Sequence, residues 1–191
     1  MGAFGATIPV LALNNGFLGV VTRLGKRGIT ARQILSTSAV GANFGDPLVI
    51  VPTAGGGDTY QSVKDYITAG GTFTAAKFAG VAVREVKTNL SFISLLTIGT
   101  SNIGQYTPGQ VAEGLEDGSI IVKCNVGTPA SQGQLFIRIA ANGAIPNGVV
   151  GGFEAAADGA NTVALPGVLF RTGVMDGNNA VEITILNRVA A

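Results

Sequence analysis

The chain has 191 residues, 47% of them hydrophobic and only 12% charged, with 29 glycines, 7 prolines and a net charge of +1. Charged residues usually fill about a quarter of a globular domain, and a chain this apolar can offset its conformational entropy by burial, which excludes intrinsic disorder. It has no histidine, no tryptophan and one cysteine, Cys124, so the commonest general base, the commonest zinc ligand and any intrachain disulfide are excluded together.

In chain order, residues 1–58 are rich in glycine and alanine and lack a clean period. They hold short strand-like pieces at 17–23 (FLGVVTR) and 47–51 (PLVIV), punctuated by Asn14-Asn15-Gly16, Gly25, Gly28, Gly41 and Gly45-Asp46-Pro47. This reads as an extended N-terminal arm with short strands. Residues 59–191 read as a β-rich body, the two parts making one domain. The Gly55-Gly56-Gly57 run is expected to be a hinge. After it, Asp58 or Thr59 can cap a short helix with Tyr60, Val63 and Ile67 on one face and Gly70-Gly71 at its end. A β piece follows at 80–86 (GVAVREV). Tyr106-Thr107-Pro108-Gly109-Gln110 has Pro and Gly where a type II turn needs them.

Three later segments alternate with period two. Residues 119–125 (SIIVKCN) place Ile120, Val122 and Cys124 on one face. Residues 134–140 (QLFIRIA) turn Leu135, Ile137 and Ile139 inward and Phe136, Arg138 and Ala140 outward. Residues 180–186 (AVEITIL) turn Val181, Ile183 and Ile185 inward and Glu182 and Thr184 outward. Glu116-Asp117-Gly118, Ser131-Gln132-Gly133 and Asp176-Gly177-Asn178-Asn179 supply turn chemistry. The expected fold is mainly β: an antiparallel sandwich or small barrel with one short helix and an extended N-terminal arm.

Catalytic signals are scarce. Without histidine, Ser–His and Cys–His nucleophile systems cannot be built from one chain. Residues 99–104 (GTSNIG) miss the G-x-S-x-G spacing, and the glycines at 55–57 lack the Lys-Ser/Thr of a P-loop. Glu116 and Asp117 are adjacent carboxylates of the kind a glycosidase needs, but beside a glycine they read as turn formers. Glu85, between Arg84 and Lys87, reads as a solvated strand end. Cys124 faces inward and reads as a small buried hydrophobe. No calcium-loop pattern is present. The expectation is no enzyme, no metal and no cofactor.

Charge is distributed unevenly. Residues 1–45 carry Arg23, Lys26, Arg27 and Arg32 and no acid, whereas the remainder has eight bases and eleven acids. The excess is too thin for a nucleic-acid footprint. A basic arm lying on an acidic protein surface fits it, set against the plainer reading of four solvated charges that happen to cluster. Tyr106 has two readings, packing at its turn, which is the commoner use, or anchoring an interface. No basic residue precedes the apolar N-terminal stretch, so it is a poor secretory signal. The Asn89-Leu90-Ser91 sequon therefore lacks an export signal to support it. The most apolar run, residues 90–98, falls well short of the ~18–20 residues that span a bilayer. A mean hydropathy of +0.44 with so few charges points to surface hidden in an oligomer or larger assembly.

Several strings, read together, resemble a known family. They are Arg32; Phe44-Gly45-Asp46-Pro47-Leu48-Val49; Gly80-Val81-Ala82-Val83-Arg84-Glu85-Val86-Lys87; Tyr106-Thr107-Pro108-Gly109-Gln110; Gly118-Ser119-Ile120-Ile121-Val122-Lys123; Phe170-Arg171-Thr172-Gly173; and Ala180-Val181-Glu182-Ile183. Their order, from about residue 16 to the C-terminus, resembles the structural cement (decoration) proteins of tailed bacteriophages. The resemblance implies a β-rich body, self-association and a surface that grips the major capsid protein on the outside of the DNA-filled head. It implies no catalytic residues. The expected partners are the major capsid protein and further copies of the chain. A trimer suits local three-fold positions and is favoured over the dimer, the commonest assembly in general. Nucleic acid, membrane and small-molecule substrate are not expected. The expected location is the outer surface of the virion capsid, after synthesis in the host cytoplasm. Arg23, Lys26, Arg27, Arg32 and Tyr106 are the candidate capsid contacts. The alternative is a host-surface or glycan-binding virion protein of tail or fibre type, disfavoured by the absence of Trp and by 6% aromatic content.

Overall fold

A computed structural model describes residues 15–23, 28–84 and 104–187. Its elements are β1 (Gly28–Gln33), β2 (Ala42–Asn43), β3 (Pro47–Pro52), β4 (Asp58–Ser62), α1 (Val63–Thr68), β5 (Phe78–Ala82), β6 (Gln105–Tyr106), β7 (Val111–Val126), β8 (Gln134–Arg138), β9 (Phe153–Glu154), β10 (Thr162–Phe170) and β11 (Ala180–Ile185). The chain is mainly β, with a closed five-stranded barrel plus extra strands. The barrel runs β7-β11-β10-β8-β9 and closes back on β7. All its pairs are antiparallel except β7 with β9.

The 16-residue β7 joins two sheets. Its second half pairs with β11, from Gly118↔Ile185 to Lys123↔Ala180. Its first half pairs with β1 and β5, and β5 leads on through β3 to β4. The hairpin turn expected at Glu116-Asp117-Gly118 is therefore a bend within one strand. Gly28 pairs with Asp117 and Ile29 with Leu115, which leaves Glu116 as an extra residue, and Gly118 has φ +125°. An extra residue beside a left-handed glycine bends and twists a strand, so it can leave one sheet and enter another. Turn chemistry and bulge chemistry use the same residue types, which is why the sequence reads as a turn.

The inward-facing side chains of the alternating segments pack into the interior as their period requires. Ile120, Val122, Cys124, Leu135, Ile137, Val181, Ile183 and Ile185 are all buried in one core that fills the barrel. Each such aliphatic side chain contributes about 1.5–3 kcal/mol by leaving water. A second core holds Ile34, Ala42, Phe44, Leu48, Tyr60, Ala79, Ala82, Tyr106 and Ala112. Between the two cores β5 is covered on both faces, and all five of its residues are buried. Burial holds the Cys124 thiol well up, to about 11, although Val126 and Ala155 oppose the shift by hydrogen bonding. The turns at 131–133 and 176–179 form, with Gln132 and Asn179 at positive φ. The type II turn forms too: Gln110 N–H donates to Thr107 C=O at 3.0 Å and Gly109 has φ +82°.

Four local expectations change. The helix begins at Val63 with Ser62 as its N-cap, not at Asp58 or Thr59. Residues 58–62 are instead drawn into a ladder with β3, from Leu48↔Ser62 to Pro52↔Asp58. Five ladder positions and burial of Tyr60 outweigh one extra turn of a short helix, whose isolated stability is marginal. The glycines at 55–57 accordingly close a β3–β4 hairpin and are not a hinge. The boundary expected at residue 58 falls inside that hairpin, so strands on both sides of it belong to one sheet. Finally, Arg138 does not point into solvent. It is wholly buried, because residues 140–161 fold back over the outer face of β8.

Candidate functional site

Residues 15–23 lie along the barrel as a strap. Asn15 N–H donates to Asp176 Oδ2 at 3.0 Å, and its side-chain amide donates to the carbonyls of Val174 and Ala180 at 2.9 and 2.7 Å. Gly19 N–H donates to Ile121 C=O, Ile121 N–H to Val20 C=O and Thr22 N–H to Ser119 C=O, at 2.8–3.0 Å. At the far end the Thr22 hydroxyl and the Arg23 guanidinium both donate to Glu182, at 2.6 and 2.8 Å. The strap covers Glu182, which is why this outward-facing acid is only 8% exposed.

Both carboxylates that fasten the strap titrate below their ordinary range. Burial alone would raise Glu182, but Arg23 and Thr22 outweigh it. Burial also works to raise Asp176, and the backbone amides of Ala180, Asn15 and Asn178 outweigh it. A depressed folded value means stability that is present above the unfolded values and lost as pH falls through the folded ones. The strap is therefore expected to loosen below about pH 4, the ordinary carboxylate range. Hydrogen exchange at the amides of Gly19 and Thr22 should accelerate between pH 5 and pH 3 relative to core amides such as Val122. Equal protection at both pH values would refute this.

The described candidate contacts, Arg23, Arg32 and Tyr106, do not form one cluster. Arg23 is 54% exposed in its side chain and pairs with Glu182. Arg32 lies on β1, where its guanidinium donates to Tyr60 OH at 3.0 Å and Glu116 Oε1 at 3.1 Å and stacks 5.2 Å from the Tyr60 ring centroid. Tyr106 is 1% exposed, donates its hydroxyl to Val83 C=O at 2.7 Å and meets Phe44 edge-on at 5.2 Å. Lys26 and Arg27 lie outside the described residues, as do Glu85, the sequon at 89–91 and the apolar run 90–98.

Two arrangements have no counterpart in the sequence patterns. One is an ion network around Arg138, which meets Glu154 through two nitrogens, Asp158 at 2.7 Å and Ala140 C=O at 3.2 Å. Asn142 and Asn161 complete the shell of Asp158. The Asp158 carboxyl titrates low, first through Asn142 and then through Arg138. The other is an open groove of about 550 Å³ between the strap, the β2–β3 turn, the start of α1 and residues 149–153. Its walls carry Phe17, Phe44, Asp46, Lys64, Arg84 and Lys123. Arg84 stacks between two rings, 4.7 Å from the centroid of Phe17 and 5.8 Å from that of Phe44. Burial pushes the Asp46 carboxyl up, with hydrogen bonds from Asn43 and the charge of Lys64 working against it. The cations come from three separate elements, so no local motif announces them. Among the described residues no group of three or more His, Cys, Asp or Glu is placed to hold a metal ion, and no helix is long and apolar enough to cross a membrane.

This architecture defines a mainly β protein built on a closed five-stranded barrel with extra strands. A solved structure titled "The capsid of Myoviridae Phage XM1" contains a chain with the same fold, at a TM-score of 0.59 and 14% identity, covering 98% of this chain and 99% of that one. Residues 9–187 match the family model described as "Structural cement protein (E217 gp24/Pam3 gp6)". The chain belongs to the structural cement protein family, and so is a bacteriophage capsid component with a structural, cementing role. A comparison with curated proteins finds no match.

Proposed function

We propose that the protein binds the outer surface of the major capsid protein shell and stabilises the DNA-filled head, without catalytic turnover. The family match over residues 9–187 carries this reading. A ligand that binds only the closed shell shifts the equilibrium toward it, and icosahedral symmetry repeats each contact many times. The protein acts as a homo-oligomer, with a trimer at local three-fold positions favoured. The basic residues Arg23, Lys26 and Arg27 of the arm reach toward acidic capsid patches. Arg32, with its side chain 23% exposed on β1, is the fourth proposed contact, whereas Tyr106, 1% exposed, packs inside the body and is not part of that surface.

Sedimentation of the full chain with undecorated, DNA-filled capsids of its phage tests this. Saturable binding at a fixed copy number per capsomer is expected, and imaging the pellet would give the axis occupied. A folded protein that fails to bind at high concentration would overturn the reading. Deleting residues 1–27 removes Arg23, Lys26 and Arg27 together and stops just before β1. That truncation is expected to lose capsid binding or oligomerisation, and normal binding by it would remove the arm from the proposal.

A further inference from the structure

The described arginines outside the groove include three that are held by carboxylates: Arg23 by Glu182, Arg32 by Glu116, and Arg138 by Glu154 and Asp158. The groove is different. Lys64 and Lys123 are exposed there and make no ion pair among the described residues, where the Arg84 side chain is held by aromatic rings. The single carboxylate in the wall, Asp46, spends Oδ2 on the Asn43 backbone and side-chain amides, each at 2.9 Å. Three cations thus face one engaged acid. Beside them stand two exposed apolar side chains, Phe17 at 64% and Val149 at 45%.

We propose that this groove receives an acidic, extended segment of the capsid shell protein that carries at least one apolar side chain. The proposal rests on the cement reading and names the surface through which that contact is made. Charge complementarity selects the occupant. A carboxylate entering the groove meets the exposed ammonium groups of Lys123 and of Lys64, whose neighbouring acid in the wall, Asp46, is already engaged by Asn43, at the rim of low-dielectric walls where attraction is stronger than in open water. The Arg84 guanidinium is pre-oriented by its two rings, so little side-chain freedom is lost when it binds. Phe17 and Val149 offer the apolar contact that such a segment needs to exclude water from the pair. The arm and the groove are neighbours, since Phe17 and Leu18 of the strap form one wall.

The test uses the full chain and undecorated, DNA-filled capsids. Lys64→Glu together with Lys123→Glu should weaken binding by about tenfold or more, with a reduced salt dependence. Lys77→Glu makes the same kind of charge change at an exposed site outside the groove, and it should bind like the unaltered protein. The melting temperature and the sedimentation coefficient of the free double variant should match those of the unaltered protein. A double variant that binds normally overturns the groove and leaves the cement reading standing. So does equal weakening by Lys77→Glu, which would mean a diffuse charge effect. A lowered melting temperature or an altered oligomer would assign the groove to another part of this chain or to a second copy, and would also overturn the proposal. Unaltered protein that fails to bind capsids removes the cement reading itself, and this inference with it.

Discussion

Replacing Arg138 with alanine is expected to destabilise the protein by about 3–5 kcal/mol, the usual cost of removing one member of a buried ion pair. In a chain of this length that corresponds to a melting temperature lower by roughly 10 °C. Arg138 and Glu154 both have fully buried side chains, while Asp158 is 17% exposed. Without the guanidinium, Glu154 must either remain charged in a low-dielectric site or take up a proton. The carbonyl of Ala140 also loses its donor, and the fold of residues 140–161 over β8 loses its central tie. The wall of the groove at 149–153 belongs to that segment, so capsid binding should weaken alongside stability. A double-mutant cycle separates the pair from its surroundings. Arg138→Met combined with Glu154→Met should cost clearly less than the sum of the two single changes, because no orphaned charge remains. Strict additivity, or an unchanged melting temperature for Arg138→Ala, would show that the network contributes little.

The second large effect is expected from Gly80→Ala. Gly80 has φ +144°, a conformation that residues with a Cβ rarely adopt, and an added Cβ would run into the carbonyl oxygen of Leu115. Backbone strain of this kind costs about 1–3 kcal/mol, and overpacking a filled core costs about 1–3 kcal/mol more. The obstacle is main chain, so a side-chain rotation cannot relieve it; β5 would have to move away from β7, opening both cores at once. Chemical denaturation should show a lower midpoint. If Gly80→Ala unfolds at the same denaturant concentration as the unaltered protein, the tight β5–β7 approach is not a determinant of the fold. Gly55→Ala is the matched control, because nothing lies within 4 Å of a Cβ there.

Much of the barrel is legible in the linear sequence. The alternation in β7, β8 and β11 reports a half-buried strand directly, because successive side chains point to opposite faces whatever lies around them. The Thr107-Pro108-Gly109-Gln110 turn and the Asp176 turn are equally readable, since they depend on the backbone preferences of one to three residues. The cement family is legible in the order of short strings from Arg32 to Glu182. Local patterns mislead where two distant segments compete or combine. Residues 58–62 carry helical spacing, yet β3 claims them. Glu116 and Gly118 carry turn chemistry, yet β1 and β11 hold the strand on either side of them.

The candidate site shows the same division. That Arg23 and Arg32 belong to a basic, acid-free N-terminal stretch is a property of composition, visible without a fold. Which acid each one meets is not, because Glu182 and Glu116 lie 159 and 84 residues away along the chain. Arg138 reads as a solvent-facing residue because alternation reports only the strand's own two faces. Burial of the outer face comes from residues 140–161, whose path no local pattern encodes. Lys64, Arg84 and Lys123 are ordinary one at a time, and only the closure of the barrel, with the strap laid across it, puts them around one groove. Local sequence thus set the strands, the turns, the apolar face of each strand and the family. Long-range packing decided which polar groups are buried and paired and which remain open to a partner, because desolvation depends on what covers a residue and not on what flanks it.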